Sequence, residues 1–312
     1  MHNRLEHLKQ DFTSGNVSKH DFINRAHAEF HSVLHEFSST LSNTDISKIE
    51  ILDNKVLMTN KSDGIVVEVD SCDERTAPVE AFNFGSYEPG ESSVIRKLAA
   101  SIDTMLDIGS NIGWYSLVVA KLNPSAKILA FEPIPQTFAK LKNNCKLNRL
   151  SNIDYRNYAL SDSEGSFPFY FYPEGSGNAS MKNLALRDDV LEIECHLRTL
   201  DSHEDEILDS QTIDFVKIDV EGAELFSVRG GINLLQKHKP ILLVELLRKW
   251  SAPFGYHPNE VIEILASIGY VAYTLSNEYK LSRFTLIDSE TVDTNFFFVH
   301  PNSRLFSELT FH

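Results

Sequence analysis

Apolar positions repeat with two different periods along this chain. Over residues 2–40 they fall three and four apart. Leu5, Leu8 and Phe12 form a sparse stripe, and Phe22, Ile23, Ala26, Phe30, Val33, Leu34 and Phe37 a fuller one, the spacing of amphipathic helices. Over 48–70 the period drops to two. Ile49, Ile51, Val56 and Met58, then Ile65, Val66, Val67 and Val69, predict strands joined at Thr59-Asn60-Lys61-Ser62-Asp63-Gly64, a hairpin turn signal. Beyond residue 81, short apolar runs alternate with helical stretches. Strands are expected at 104–108, 126–131, 153–158, 213–218, 240–244, 271–275 and 295–299, with helices at 92–100, from 114, at 135–147, from 222 and at 258–268. This alternation predicts an α/β fold whose mostly parallel sheet of seven strands carries helices on both faces, the last two strands forming an antiparallel edge pair. Residues 1–80 read as a helical and hairpin extension, and 81–312 as the α/β domain. Pro168 marks 167–172 as an edge strand, 190–200 resumes strand character, 201–209 reads as an acidic surface helix, and 174–180, with two glycines, as a mobile loop and lid candidate.

The stretch Thr104-Met105-Leu106-Asp107-Ile108-Gly109-Ser110-Asn111-Ile112-Gly113 concentrates the candidate chemistry, because a buried strand ends there in an acid and two glycines before a helix begins. Gly109 can take a turn conformation closed to other residues, and Gly113 lets the first helical turn approach a ligand or the strand. The spacing Asp-x-Gly-x-x-x-Gly departs from the Gly-x-Gly-x-x-Gly turn that cradles a dinucleotide pyrophosphate. A helix N-terminus offers N–H groups to a carboxylate, and Asp107 is placed to accept from an ammonium. Both groups belong to one amino-acid moiety. The strand at 126–131 then ends in Glu132-Pro133, where an acid accepts the two hydroxyls of a ribose. An amino acid and a ribose in one crevice indicate S-adenosyl-L-methionine more readily than NAD.

Asp107-Ile-Gly-Ser-Asn-Ile-Gly113, Phe131-Glu-Pro-Ile-Pro135, Leu141-Lys-Asn-Asn144, Ala159-Leu-Ser-Asp162 and Lys217-Ile-Asp-Val-Glu-Gly-Ala-Glu224, in this order and spacing, resemble the FkbM family of S-adenosylmethionine-dependent methyltransferases. The resemblance covers roughly 80–275. It implies a Rossmann-like class I methyltransferase fold and O-methylation of a hydroxyl on a saccharide or natural-product acceptor. It also implies cofactor contacts from Asp107, Gly109, Ser110, Asn111, Gly113, Glu132 and Pro133, from Asn157, Ala159 and Asp162 beside the adenine, from Asp219, and from Tyr87, which with Glu88 could close over the amino-acid end or equally form a turn and cap. Asp162 could equally cap a turn. Ser110 stands where the family usually has alanine.

Two further strands end in acids. Asp219 and Glu221 follow 213–218 and Glu245 follows 240–244, so all three converge on the edge where a doubly wound sheet binds its ligand. Crowded carboxylates raise one another's pKa or hold a cation. An acceptor hydroxyl must also lose its proton, so a positioned base is needed, and Asp219, Glu221 and Glu245 are candidates. His257 is another, at the end of a loop where Trp250, Phe254 and Tyr256 either stack on an acceptor or pack the loop onto the domain. No metal site is assigned: a divalent cation on the three acids is left open, and His27, His31 and His35, four apart, read as a solvated helix face.

Charge and cysteines narrow the rest. A formal charge of -15 repels polyanions, so nucleic acid is not expected as a partner. Cys72, Cys145 and Cys195 are scattered and suggest neither a disulfide framework nor a thiolate metal site. The first residues lack an apolar leader core, and no run of 18 apolar residues occurs, so a cytoplasmic protein without membrane insertion is expected. The oligomeric state is not legible. Two alternatives stay open: a non-catalytic module that binds S-adenosylmethionine, and an NAD-dependent oxidoreductase, against which the missing Gly-x-Gly-x-x-Gly speaks.

Overall fold

The helical period at the N-terminus gives α1 (Arg4–Thr13), α2 (Lys19–Ala26) and α3 (Ser32–Thr40), with a π-helical turn at His27–His31 joining the last two. The structure, a computed structural model, describes residues 4–184, 186–203 and 212–312. Ser18 starts α2 by accepting from the Asp21 N–H at 3.1 Å, a side-chain cap. The next segment is a three-stranded antiparallel meander, β1 (Ile46–Leu52), β2 (Lys55–Asn60) and β3 (Val66–Val69), where one hairpin was expected. The added turn at Asp53-Asn54 is too short to interrupt the two-residue period, and Asn54 takes the left-handed conformation that asparagine tolerates, φ 58°. β3 is fastened to the rest of the chain: Asn148 Oδ1 accepts from the Val66 N–H at 2.8 Å and Asn144 Oδ1 from the Glu68 N–H at 3.2 Å.

Helices α4 (Ala77–Phe84) and α5 (Pro89–Ala99) lead into β4 (Thr104–Ile108), followed by α6 (Trp114–Leu122), β5 (Lys127–Phe131), α7 (Pro135–Leu147) and β6 (Ile153–Arg156). A separate small sheet holds β7 (Ala159–Leu160), β8 (Gly165–Phe171) and β9 (Leu191–Arg198), with β9 in the middle. Pro168 therefore lies on an edge strand, where its missing N–H costs no ladder bond. The chain returns as β10 (Phe215–Ile218), α8 (Glu224–Arg229), α9 (Ile232–His238), β11 (Ile241–Glu245), α10 (Arg248–Ser251), α11 (Asn259–Ser267), β12 (Val271–Leu275), β13 (Leu281–Arg283) and β14 (Asn295–Val299). Of the acidic helix expected at 201–209, Asp201–His203 form a 3₁₀ turn. Residues 204–211 lie outside the described part.

The main sheet runs β13-β12-β14-β11-β10-β4-β5-β6, eight strands rather than seven. The additional one is β13, only three residues long, which turns back on β12 and takes the edge. β12 and β14 pair antiparallel as expected, yet β14 slots between β11 and β12. Successive residues of each inner strand serve opposite faces. Met105, Ile128, Phe215 and Leu243 pack with α5 and α6 on one side, while Leu106, Leu129, Val216 and Leu242 pack with α8, α9 and α11 on the other. That is why these strands read as continuous apolar runs. The chain leaves β4 toward β5 and β6, then comes back beyond β4 to β10 and β11. The reversal opens a crevice between the C-terminal ends of β4 and β10, the switch point at which such sheets bind ligands.

Candidate active site

The crevice depends on a close approach of two loops. A Cβ on Gly109 would sit 1.8 Å from the Asp219 carbonyl oxygen, and Gly109 also has φ +75°, so only glycine lets the β4 and β10 loops meet there. Gly113 plays a packing part: its Cβ would fall 2.3 Å from Leu141 Cδ1 at φ +89°, which seats α6 against α7. Between them the loop is fixed by Glu132 at the end of β5. Glu132 Oε2 accepts from the Asn111 N–H at 3.0 Å and Oε1 from the Ile134 N–H at 2.9 Å. Burial pushes this carboxyl up to about 7 in spite of those two bonds.

Asp107 is fully buried and half satisfied. Its Oδ2 accepts from the Ser116 hydroxyl at 2.6 Å and the Ser116 N–H at 3.2 Å, while Oδ1 has no partner within the described protein. Two other buried polar atoms on the cavity wall also lack partners, Ser110 Oγ and Trp114 Nε1. Lys217 sits beside Asp107 in register on β10, and its ammonium donates to Asp219 Oδ2 at 2.9 Å. Burial alone would depress the lysine, but the charges of Asp219 and Asp107 hold it above its ordinary value. For Asp107 burial dominates and raises the carboxyl, with Lys217 working against it.

Toward the outer end of the cavity the charge turns strongly acidic. Asp219, Glu221 and Glu245 each bring a carboxylate oxygen within 4.8 Å of the other two. Burial, and after it the charge of Asp219, pushes Glu221 and Glu245 well above the usual carboxylate range. Glu88 adds a fourth acid, raised to about 6 by burial, whose carboxylate takes hydrogen bonds from the Tyr115 hydroxyl and, at 3.1 Å, from Asn295 Nδ2. Glu224 instead braces the backbone. Its Oε1 accepts from the Gly222 N–H at 2.9 Å and the Val220 N–H at 3.3 Å, closing the turn that presents Glu221. Residues 174–180, expected as a mobile loop, cross this cavity as a fastened strap. The Ser176 hydroxyl donates to Asp73, the Glu174 carbonyl accepts from the Glu74 N–H at 3.1 Å, and the Ser180 hydroxyl donates to the Glu221 carbonyl at 2.7 Å.

The structure thus gathers Tyr87, Asp107, Gly109, Ser110, Asn111, Glu132, Pro133, Ala159, Asp219, Glu221 and Glu245 around one cavity. It leaves out four residues singled out from the sequence. Gly113 faces Leu141. Asn157 sits behind the wall, its amide donating to the Glu132 and Pro133 carbonyls at 2.8 and 3.0 Å. The Asp162 side chain is exposed, with its backbone against the turn at Gly230. His257 is also exposed, and its Nδ1 accepts from the Asn259 N–H at 3.2 Å, a turn at the start of α11 away from the cavity. Phe254 and Tyr256 pack the loop onto the domain, and Trp250 meets Gly222 through its main chain. A Cβ on Gly222 would meet the Trp250 carbonyl oxygen at 2.4 Å, and the Phe226 ring lies 5.9 Å from that of Phe254 and 6.0 Å from that of Tyr256. Sequence reasoning missed Lys217, Trp114, Tyr115 and Ser176. Only Lys217 carried a signal, a cation inside the apolar run Phe215-Val216-Lys217-Ile218.

A crevice at the switch point, an acid ending each of the two strands β4 and β5, and a glycine turn leading into α6 define a class I methyltransferase fold. This chain belongs to the FkbM methyltransferase family: the methyltransferase FkbM domain matches residues 107–272, more than half of its length. Among relatives, Methyltransferase 1 of Beauveria bassiana is 29% identical over 142 residues, covering 40% of this chain and 57% of that protein. Methyltransferase sdnD of Sordaria araneosa is 28% identical over 218 residues, covering 61% and 82%. Hexuronic acid methyltransferase AglP of Haloferax volcanii is 31% identical over 183 residues, covering 57% and 68%. The chain therefore spans little more than half of the first of these. Among the described residues no helix is long and apolar enough to cross a membrane.

Proposed function

We propose that this chain transfers the methyl group of S-adenosyl-L-methionine to a hydroxyl of a saccharide or natural-product acceptor. The observation that carries the reading is the unpartnered Asp107 Oδ1, buried at the switch point on a cavity also lined by the residues of two unpartnered donors, Ser110 Oγ and Trp114 Nε1. Leaving such groups without partners costs about 1–3 kcal/mol each, so a ligand with one cationic donor and one anionic acceptor suits them. Asp107 would take the ammonium of the cofactor's amino acid, and Ser110 and Trp114 its carboxylate. Glu132 keeps further lone pairs on both oxygens for the ribose hydroxyls. S-adenosylmethionine, when bound, supplies an electrophilic methyl group.

The acid cluster serves the other reactant. A hydroxyl entering at Asp219, Glu221 and Glu245 meets carboxylates that burial makes more basic than solvated ones, and one of them receives its proton as the oxygen becomes nucleophilic. Lys217 holds Asp219 in place. The name of the AglP relative, a hexuronic acid methyltransferase, supports a sugar as acceptor class. Calorimetric titration with S-adenosylmethionine, S-adenosylhomocysteine and NAD tests the reading. The two adenosyl ligands should bind and NAD should not, and Asp107→Ala should abolish binding. Unaltered affinity in that variant, or a preference for NAD, would overturn it.

A further inference from the structure

Among the described residues, one cation, Lys217, forms an ion pair with the three carboxylates at the outer end of the cavity. Lys217 is committed to Asp219 Oδ2 at 2.9 Å. Glu221 is nine-tenths buried, at 9% exposure, and its Oε2 finds no donor among the described residues. Replacing the ionised group's lost hydration requires a positive partner.

We propose that Asp219, Glu221 and Glu245 bind a divalent cation of the hard, oxygen-preferring kind, Mg²⁺ or Mn²⁺. All three offer one oxygen each within 4.8 Å of the others, so a small inward side-chain adjustment brings them onto one ion, whose metal–oxygen bonds of about 2.0–2.1 Å allow at most about 4.2 Å between two ligand oxygens. The donor set contains neither sulfur nor imidazole, which selects against zinc and copper. Charge also fits: Lys217 and one divalent ion together carry the positive charge that three carboxylates demand. Three protein ligands leave about half of an octahedron open, so the ion could hold water and the oxygens of two neighbouring acceptor hydroxyls. The turn that supplies Glu221 is built to keep it in place. Glu224 clamps it from inside, and the strap reaches across from Ser180 to the Glu221 carbonyl.

The purpose of the ion rests on the methyl-transfer reading, but its binding does not. The test follows free Mn²⁺ by electron paramagnetic resonance while full-length protein is titrated, with and without S-adenosylhomocysteine. One Mn²⁺ per chain is expected, with affinity at least tenfold weaker in Glu221→Gln and again in Glu245→Gln. Both variants should keep the parent's far-ultraviolet circular dichroism and affinity for S-adenosylhomocysteine. No stoichiometric Mn²⁺ binding under either condition, or binding unaltered by both substitutions, would overturn the site. Mn²⁺ binding in the expected pattern by a protein that ignores every adenosyl ligand would leave the cation site standing and remove the methyl-transfer reading instead.

Discussion

Glu132 offers a measurement in which sign and size both follow from the structure. Its carboxyl is raised by burial from an ordinary 4.5 to about 7. The folded protein therefore binds a proton there more tightly than the unfolded chain does. Stabilisation from this group is complete below pH 4.5 and is lost as pH rises through about 7, where the folded state must carry a buried charge. At 1.36 kcal/mol per pKa unit, the loss between pH 5 and pH 8 comes to about 2.5 kcal/mol. Glu132→Gln keeps the shape and one acceptor for the Asn111 or Ile134 N–H but cannot titrate. Urea unfolding of ligand-free protein at the two pH values should thus show the parent losing about 2.5 kcal/mol more than the variant. Other raised acids, Glu88 at about 6 and Glu224 at about 7, titrate in both proteins and cancel in the comparison. Equal losses in parent and variant would refute the argument that burial, rather than the two N–H bonds, governs this group.

Gly109→Ala should destabilise by more than about 3 kcal/mol, because left-handed backbone strain adds to a clash with main chain that cannot rotate away. Gly113→Ala carries the same left-handed strain, at φ +89°, but meets a leucine side chain that can shift, so it should cost less, about 2–3 kcal/mol; thermal melts that reverse this order would contradict the geometry. Ser176→Ala removes the bond to Asp73, worth about 1.5–3 kcal/mol when one partner is charged, so hydrogen exchange over 173–181 should quicken by roughly 10- to 100-fold while the sheet stays protected. His257→Ala should leave turnover within about twofold of the parent, whereas Glu245→Gln should lower it at least about 100-fold, the range for loss of a proton-transfer group; comparable losses in the two would return the base to the exposed loop.

Legible and illegible features of this chain separate along physical lines. Inner strands were legible because both faces of β4, β5, β10 and β11 are buried, which leaves unbroken apolar runs with an acid at the C-terminal end. Asp107, Glu132, Asp219, Glu221 and Glu245 were legible for a related reason: an acid in the last residues of a buried strand, or just past its end, stands out. The three-residue β13 and the Asp53-Asn54 turn left no such mark, since both are shorter than the run of about four residues over which a strand period can be read. Trp114 and Tyr115 left no mark either, because aromatic residues at helical spacing look alike whether they face a core or a cavity.

What the sequence by itself determined is therefore the layered α/β architecture, its glycine turn and the set of acids at strand ends, all consequences of local spacing. Contact between segments far apart in the chain was decided only by tertiary structure. The tight meeting of Gly109 with Asp219, the pairing of Lys217 beside Asp107, the strap tied from Ser176 to Asp73, and the exposure of His257 each depend on strand order and loop packing. Periodicity specifies which face of an element is apolar. Which distant side chain meets that face, and which polar atoms are left without a partner, follows from how the whole chain fills space.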